Sequence, residues 1–155
     1  MSEDEKFPRR PMGMRMAMVL RQWRAVIDHA ITGTGLTQSG WMVMMQLHQL
    51  GDNVSVSELA DVVGIELPPL MRTLNHLESE GHLVRTVSPY DRRIRLLALT
   101  PQGQAMQQQL AQTIAVLQSR ITHNISAENL DVFSTTLNQI ACNLRTLREE
   151  DNHNN

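Results

Sequence analysis

The residues of this chain best suited to binding chemistry are arginines clustered near residues 81–100. A guanidinium group is planar, permanently charged and rich in donors, so it binds phosphates and guanine edges and enters narrow minor grooves. The whole chain has a net charge of -2, but whole-chain charge is a poor guide when basic residues are clustered. The cluster therefore indicates contact with a polyanion. Its members are Arg85, Arg92, Arg93 and Arg95, against one acidic residue, Asp91.

Two short aliphatic runs contain Arg85 and Arg95 and flank Arg92 and Arg93. Residues 82–87 read H-L-V-R-T-V and residues 94–99 read I-R-L-L-A-L, and the polar segment between them contains a Ser-Pro turn signal. The pattern predicts a two-stranded hairpin with Arg92 and Arg93 at its tip. A merely solvated hairpin tip is the alternative interpretation.

A helix, a turn and a second helix are predicted immediately before the hairpin. Ser55 and Glu58 have the spacing of a capping box, which predicts that a helix begins there. Gly64 stands where that helix must stop and reverse, because glycine enters the left-handed conformation without steric cost. Ser55 is also a candidate DNA contact.

The second helix has an apolar stripe and a polar face. Leu70, Leu74 and Leu77 recur at the spacing of a buried helical face. The opposite face carries the candidate DNA contacts Arg72, Thr73 and His76; for Arg72, an ion pair with Glu66 or Glu78 is the alternative.

Helix, turn, helix and hairpin in this order are the layout of a winged helix-turn-helix, which binds duplex DNA. Aromatic residues form 3% of the chain, too few for the stacking platforms that read single strands or RNA. The predicted fold class is mainly α (α+β), a winged helix-turn-helix with a two-stranded wing and N- and C-terminal dimerisation helices.

Long amphipathic helices frame this region. The predicted parts are disordered tails at residues 1–10 and 149–155 and one domain at 11–148, with the winged helix at 36–100 and dimerisation helices at 11–33 and 101–148. Thr37 and Thr100 are predicted helix caps. The last helix has an apolar heptad seam that predicts a symmetric dimer. The seam consists of Leu130, Phe133, Leu137, Ile140, Leu144 and Leu147.

Several classes of protein are disfavoured by composition. A single cysteine, Cys142, precludes an internal disulfide and fits a reducing compartment, and the histidines lack metal-ligand spacing. The chain shows neither an apolar run of about 18 residues nor a signal peptide, so a cytoplasmic protein is expected. We find no nucleophile–base pair or phosphate-cradling glycine loop and expect no enzymatic turnover and no cofactor.

The sequence resembles the MarR-type winged-helix regulators and, within them, the SlyA-like subgroup, over roughly residues 14–147. The blocks that carry the resemblance are W-R-A-V-I-D-H (23–29), L-T-Q-S-G-W (36–41), L-A-D-V-V-G-I-E (59–66), M-R-T-L-N-H-L-E-S-E-G (71–81), D-R-R (91–93), L-T-P-Q-G (99–103) and I-S-A-E (125–128).

This resemblance implies a homodimeric transcription factor that binds palindromic promoter DNA and, in many members, releases it when a small aromatic carboxylate binds. By position, Pro68 and Pro69 join Arg72 in the major groove and Arg93 enters the minor groove. Asp91 is implied to orient the wing arginines.

The resemblance also implies a ligand site, and the sequence differs from the usual family pattern at two places. Arg21 and Trp41 lie where SlyA-like proteins bind salicylate-type ligands. Met45 stands where relatives usually have a histidine, and it cannot donate a hydrogen bond to a carboxylate. Packing within the core and contact with an apolar ligand are alternative interpretations of this methionine. Leu67–Pro69 reads L-P-P where relatives usually have Q-P-S, which removes donors, so a different base preference is expected.

We therefore expect a regulator that binds a specific pseudo-palindromic site as a homodimer. The alternative is an architectural protein that antagonises nucleoid packing with low sequence specificity. A bounded footprint would distinguish the first from the second, because salt dependence is common to both.

Overall fold

A winged helix-turn-helix occupies the middle of the computed structural model, which describes residues 7–153. The helices are α1 (Met12–Ile31), α2 (Gln38–Leu50), α3 (Val56–Val63), α4 (Leu67–Ser79), α5 (Pro101–Ile121) and α6 (Ala127–His153). The strands are β1 (Val54–Ser55), β2 (Leu83–Val87) and β3 (Arg95–Leu99), and a short 3-10 helix, Phe7–Arg9, precedes α1.

The chain forms two compact units, one up to Leu117 and one from Gln118 onward. The first contains the winged helix and its core, and the second consists mainly of α6. None of the helices within residues 7–153 combines the length and apolar character needed to cross a membrane.

Side-chain caps determine where three of the helices begin. The Thr37 hydroxyl accepts a hydrogen bond from the third residue of α2, at 3.1 Å. At α3, the Ser55 hydroxyl accepts from the Glu58 amide at 3.2 Å and the Glu58 carboxylate accepts from the Ser55 amide at 2.8 Å. The Ser55 amide, followed by its hydroxyl, lowers the pKa of Glu58. The predicted capping box is confirmed, as is the cap that Thr100 provides for α5.

The reversal between α3 and α4 depends on Gly64. Its φ of 67° and ψ of 27° are left-handed, and its amide donates to the Ala60 carbonyl at 2.9 Å. A side chain here would introduce strain, which explains why a glycine closes this helix.

The predicted two-stranded wing, formed by β2 and β3, is confirmed, and it lies within a three-stranded antiparallel sheet. β3 lies in the middle, with β1 on one side and β2 on the other. Leu83 pairs with Leu99 and Val54 pairs with Leu97. The third strand was missed because two residues are too short to show strand periodicity.

One apolar cluster holds the first unit together. It receives side chains from α1, α2, α3, α4 and α5 and from all three strands. Its completely buried members include Ile27, Val43, Met44, Leu59, Leu70, Leu74, Leu77 and Leu97.

The terminal helices differ from the prediction in two respects. α6 continues to His153, so residues 149–153 are helical where a disordered tail was predicted. Phe7–Arg9 forms a short 3-10 helix where a disordered N-terminal tail was predicted. The predicted N-terminal tail lies partly outside the described residues, which begin at Phe7, and residues 154–155 lie outside them as well.

The first turn of α5 approaches the start of β2 too closely for a side chain. The Thr100 amide donates to the His82 carbonyl at 3.0 Å, and the Thr100 hydroxyl donates to the Gly81 carbonyl. A Cβ atom on Gly103 would lie 1.9 Å from the His82 carbonyl oxygen. Only glycine therefore permits this contact between α5 and the wing.

We predict that Gly103→Ala lowers the free energy of unfolding by about 1–3 kcal/mol or more, because the added methyl overlaps a backbone atom that cannot rotate away. Equilibrium urea unfolding measures the change. Gly13→Ala is the matched control, since a Cβ there meets no atom within 4 Å and alanine favours a helix. Equal stability of wild type and Gly103→Ala would contradict the close packing.

Candidate nucleic-acid interface

The orientation of α4 is determined by its buried leucines. Leu70, Leu74 and Leu77 have no exposed surface. Because these side chains occupy the inner face, Pro68 and Arg72, four residues apart, lie together on the outer face. The predicted division of this helix into a buried and a reading face is confirmed for the leucine stripe.

Arg72 is exposed and available for an external partner. Within residues 7–153 its side chain makes no hydrogen bond or ion pair, and Glu78, one of its alternative partners, instead binds Arg85. A guanidinium in this state binds guanine O6 and N7 well.

Thr73 and His76, the other two predicted contacts on this helix, are engaged within the protein. The Thr73 hydroxyl donates to the Pro69 carbonyl at 3.2 Å. The His76 Nε2 lies 3.1 Å from the carbonyl oxygen of Gly35, in the loop between α1 and α2. This contact joins α4 to a loop that lies 41 residues earlier in the sequence.

Arg85 links the wing to α4, a role that the sequence did not reveal. From β2, its Nε donates to a Glu78 carboxylate oxygen at 2.6 Å and its terminal nitrogen donates to Asn75 Oδ1 at 2.6 Å. The side chain therefore joins the wing to α4 and is partly buried. Charge counting alone grouped Arg85 with the hairpin arginines, because the sequence does not reveal which arginines are already paired.

The wing tip is a loop closed by its own hydrogen bonds. The Ser88 amide donates to the Ile94 carbonyl and the Ile94 amide to the Asp91 carbonyl, both at 3.0 Å. The Tyr90 amide donates to the Ser88 hydroxyl at 3.2 Å. These bonds define the backbone that presents the arginines.

Asp91 holds Arg93 in one orientation. Its Oδ1 accepts from the Arg93 backbone amide at 2.9 Å and from Nε at 3.1 Å, and its Oδ2 accepts from the terminal guanidinium nitrogen at 3.0 Å. The Arg93 side chain, followed by its amide, lowers the pKa of Asp91, and the carboxylate raises the pKa of Arg93. The pair therefore remains ionised at neutral pH, while 90% of the Arg93 side chain stays exposed.

The remaining tip residues also face solvent. Arg92 is exposed, and its backbone carbonyl accepts from the Arg95 guanidinium at 2.8 Å. Tyr90 is 98% exposed beside them and was not predicted as a contact. Its position in the S-P-Y-D-R-R segment was the sequence feature that could have identified Tyr90 as a residue of the hairpin tip.

The predicted ligand residues lie in different environments. Arg21 is exposed and lines an open depression of about 440 Å³ formed by one face of α1. Trp41 and Met45 are partly buried on α2 and are absent from the lining of that depression. The lining consists of Ala17, Leu20, Arg21, Arg24, Ala25 and Asp28.

Other reactive groups are sparse in the described part of the chain. Cys142 is exposed on α6. Between residues 7 and 153, no cluster of three or more histidine, cysteine or acidic side chains is arranged to hold a metal ion.

Comparison with known proteins gives a family and several similar structures. The model of the MarR family matches residues 34–94. The crystal structure of transcriptional regulator PA3341 is 30% identical, with a TM-score of 0.79, and the match covers 88% of this chain and 99% of that one.

Two further structures share the fold at lower identity. One is a cysteine-to-serine mutant of MarR from E. coli in complex with operator DNA: 24% identity, TM-score 0.78, coverage 87% of this chain and 96% of that one. The other is a SlyA-like transcription regulator from Listeria monocytogenes: 12% identity, TM-score 0.80, coverage 87% and 89%. With the match to PA3341 and the family model spanning the helix-turn-helix and wing tip, the chain belongs to the MarR family of transcriptional regulators.

Proposed function

We propose that this protein is a transcriptional regulator that binds a specific pseudo-palindromic site in duplex DNA as a homodimer and releases it when a small aromatic carboxylate binds. In this proposal α4 enters the major groove and Arg93 enters the adjacent minor groove. The two reading heads of the dimer lie on one face of the duplex, about one helical turn or 34 Å apart.

The geometry of Arg93 carries the proposal. A carboxylate fixes this guanidinium at the tip of a closed hairpin while leaving its surface exposed. An arginine held in this way loses less conformational freedom when it enters a groove, and narrow minor grooves concentrate negative potential. Arg72 supplies a second exposed guanidinium on the helix that precedes the hairpin.

Homodimerisation is supported by the surface of α6. Within its own unit, this helix of 27 residues exposes large apolar side chains along most of its length. Exposed apolar surface on this scale marks an interface, and a second copy of the helix offers a complementary apolar seam. The residues are Phe133, Leu137, Leu144 and Leu147, all at least 41% exposed.

An effector site is supported by the charge on α1. Arg21 and Arg24 both line the depression on that helix, and within residues 7–153 neither side chain makes a hydrogen bond or ion pair. Two adjacent guanidinium groups attract a carboxylate, and Ala17 and Leu20 offer apolar surface to an aromatic ring. Trp41 and Met45 lie outside this depression.

We predict that Arg93→Ala weakens binding to the selected DNA site by about 1–3 kcal/mol. Arg93→Lys should recover only part of that loss, because lysine keeps the charge but cannot bind Asp91 through a planar fork. Fluorescence anisotropy with labelled duplex measures both variants. Arg148→Ala, on the exposed surface of α6, controls for the loss of one positive charge. Unchanged affinity of Arg93→Ala would show that the wing does not contact DNA.

We predict that Leu137→Asp dissociates the dimer. A carboxylate would be buried twice in the symmetric interface without a partner, which should raise the dimer dissociation constant by about 100-fold or more. Analytical ultracentrifugation reports the change. Thr135→Asp places the same charge on the opposite face of α6 and should remain dimeric. Wild-type protein that is monomeric at micromolar concentration would refute the homodimer.

We predict that an aromatic carboxylate such as salicylate quenches tryptophan fluorescence and weakens DNA binding by about 5- to 150-fold, the usual range of coupling between two sites. Arg21→Ala should abolish both effects, whereas Arg120→Ala should retain them. Titration of fluorescence and of DNA affinity in parallel provides the measurement. Absence of any response across a panel of aromatic carboxylates would remove the sensor role and leave DNA binding intact.

A further inference from the structure

We infer that the first turn of α4 reads DNA by apolar contact between Leu67 and Pro68 and the 5-methyl group of thymine, with Arg72 as the main hydrogen-bonding reader of the helix. The inference rests on the proposed function, because it specifies which bases α4 recognises.

The first argument is that the polar side chains of α4, apart from Arg72, already have partners. In each case the partner belongs to the protein itself, so turning toward a base would break an existing hydrogen bond. Thr73 bonds to the Pro69 carbonyl, His76 to the Gly35 carbonyl and Ser79 to the His76 carbonyl, and Asn75 and Glu78 both bind Arg85.

The second argument is that the first turn of α4 offers few backbone donors. Pro68 and Pro69 have no amide hydrogen, although a helix N-terminus ordinarily binds phosphate through such groups. Glu66, at the N-cap, makes no capping hydrogen bond with its side chain and is exposed. Its negative charge repels phosphate, so this end of the helix is poorly suited to the DNA backbone.

The third argument is the chemistry of what remains exposed. Leu67 is 54% exposed, and Pro68 is exposed on the same face as Arg72. The first residues of a recognition helix are those that approach base edges. The thymine methyl is the apolar group that base pairs present in the major groove, so it matches these two side chains.

Spacing along the helix gives the expected half-site. Arg72 prefers guanine through its O6 and N7 atoms. Pro68 and Arg72 are separated by four residues, a rise of about 6 Å, which corresponds to roughly two base-pair steps. A thymine is therefore expected within about two base pairs of a guanine in each half-site.

Replacement of thymine by deoxyuridine tests the inference directly, because it removes the methyl group and retains every hydrogen-bonding group of the base. A binding site is first selected from random duplex DNA. Each thymine is then replaced singly and the dissociation constant is measured with the wild-type protein. We expect a rise of roughly fourfold at one or two positions per half-site, the value for burying one methyl-sized group.

Protein variants then test whether Leu67 and Pro68 are the side chains that contact the thymine methyl group. In Leu67→Ala or Pro68→Ala, deoxyuridine at the sensitive position should cause a smaller loss than in wild type, because the contact is already absent. Leu50→Ala is the matched control: Leu50 is also an exposed leucine, lies at the end of α2 and should leave the deoxyuridine effect unchanged. The wild-type measurement stands even if a variant folds poorly.

The outcomes separate this inference from the proposed function. A selected site that binds equally well with every thymine replaced would overturn the apolar reading and leave sequence-specific binding intact. An undiminished deoxyuridine effect in both variants would overturn the role of Leu67 and Pro68. Failure to bind any duplex would overturn the proposed function itself, and the inference with it.

Discussion

Burial of the leucine stripe of α4 is the constraint on which the interface depends. Leu70, Leu74 and Leu77 are packed into the same cluster as side chains from the other helices and the sheet of the first unit. Exposing even one of them would cost about 2 kcal/mol, and a rotation of the helix would expose several of them at once. The helix therefore cannot rotate, and the direction of Arg72 and Pro68 follows from hydrophobic packing.

Local chemistry made much of this arrangement predictable from sequence. Helix ends depend on contacts between residues that are close in sequence, so they can be recognised from the sequence alone. The capping box of Ser55 and Glu58, the stop at Gly64 and the cap at Thr100 are of this kind. The hairpin was equally predictable because its arginines are flanked by two aliphatic runs. β1 was not predictable, since its place in the sheet comes from pairing with β3, which lies about 40 residues away in sequence.

The sequence could not show which polar side chains already have hydrogen-bond partners within the protein. His76 and Arg85 resemble free DNA contacts when only charge and helical periodicity are considered. Their partners, Gly35 for one and Glu78 with Asn75 for the other, are brought close by tertiary folding. Helical spacing identifies the face on which a residue lies, whereas availability for a ligand depends on contacts between elements.

In the proposed mode of DNA binding, electrostatic attraction and base discrimination come from different parts of the molecule. The wing carries Arg92 and Arg93 in a closed loop and Arg95 at the start of β3, and these arginines can contribute attraction to any duplex, which weakens with salt. The first turn of α4 contributes little to that attraction, because it has two prolines and an exposed Glu66. Apolar contacts are short-ranged and unaffected by phosphate charge, so discrimination at this turn should change little with ionic strength while overall affinity changes strongly. Under the proposed function, this separation would preserve the difference between a correct and an incorrect site as the ionic strength changes.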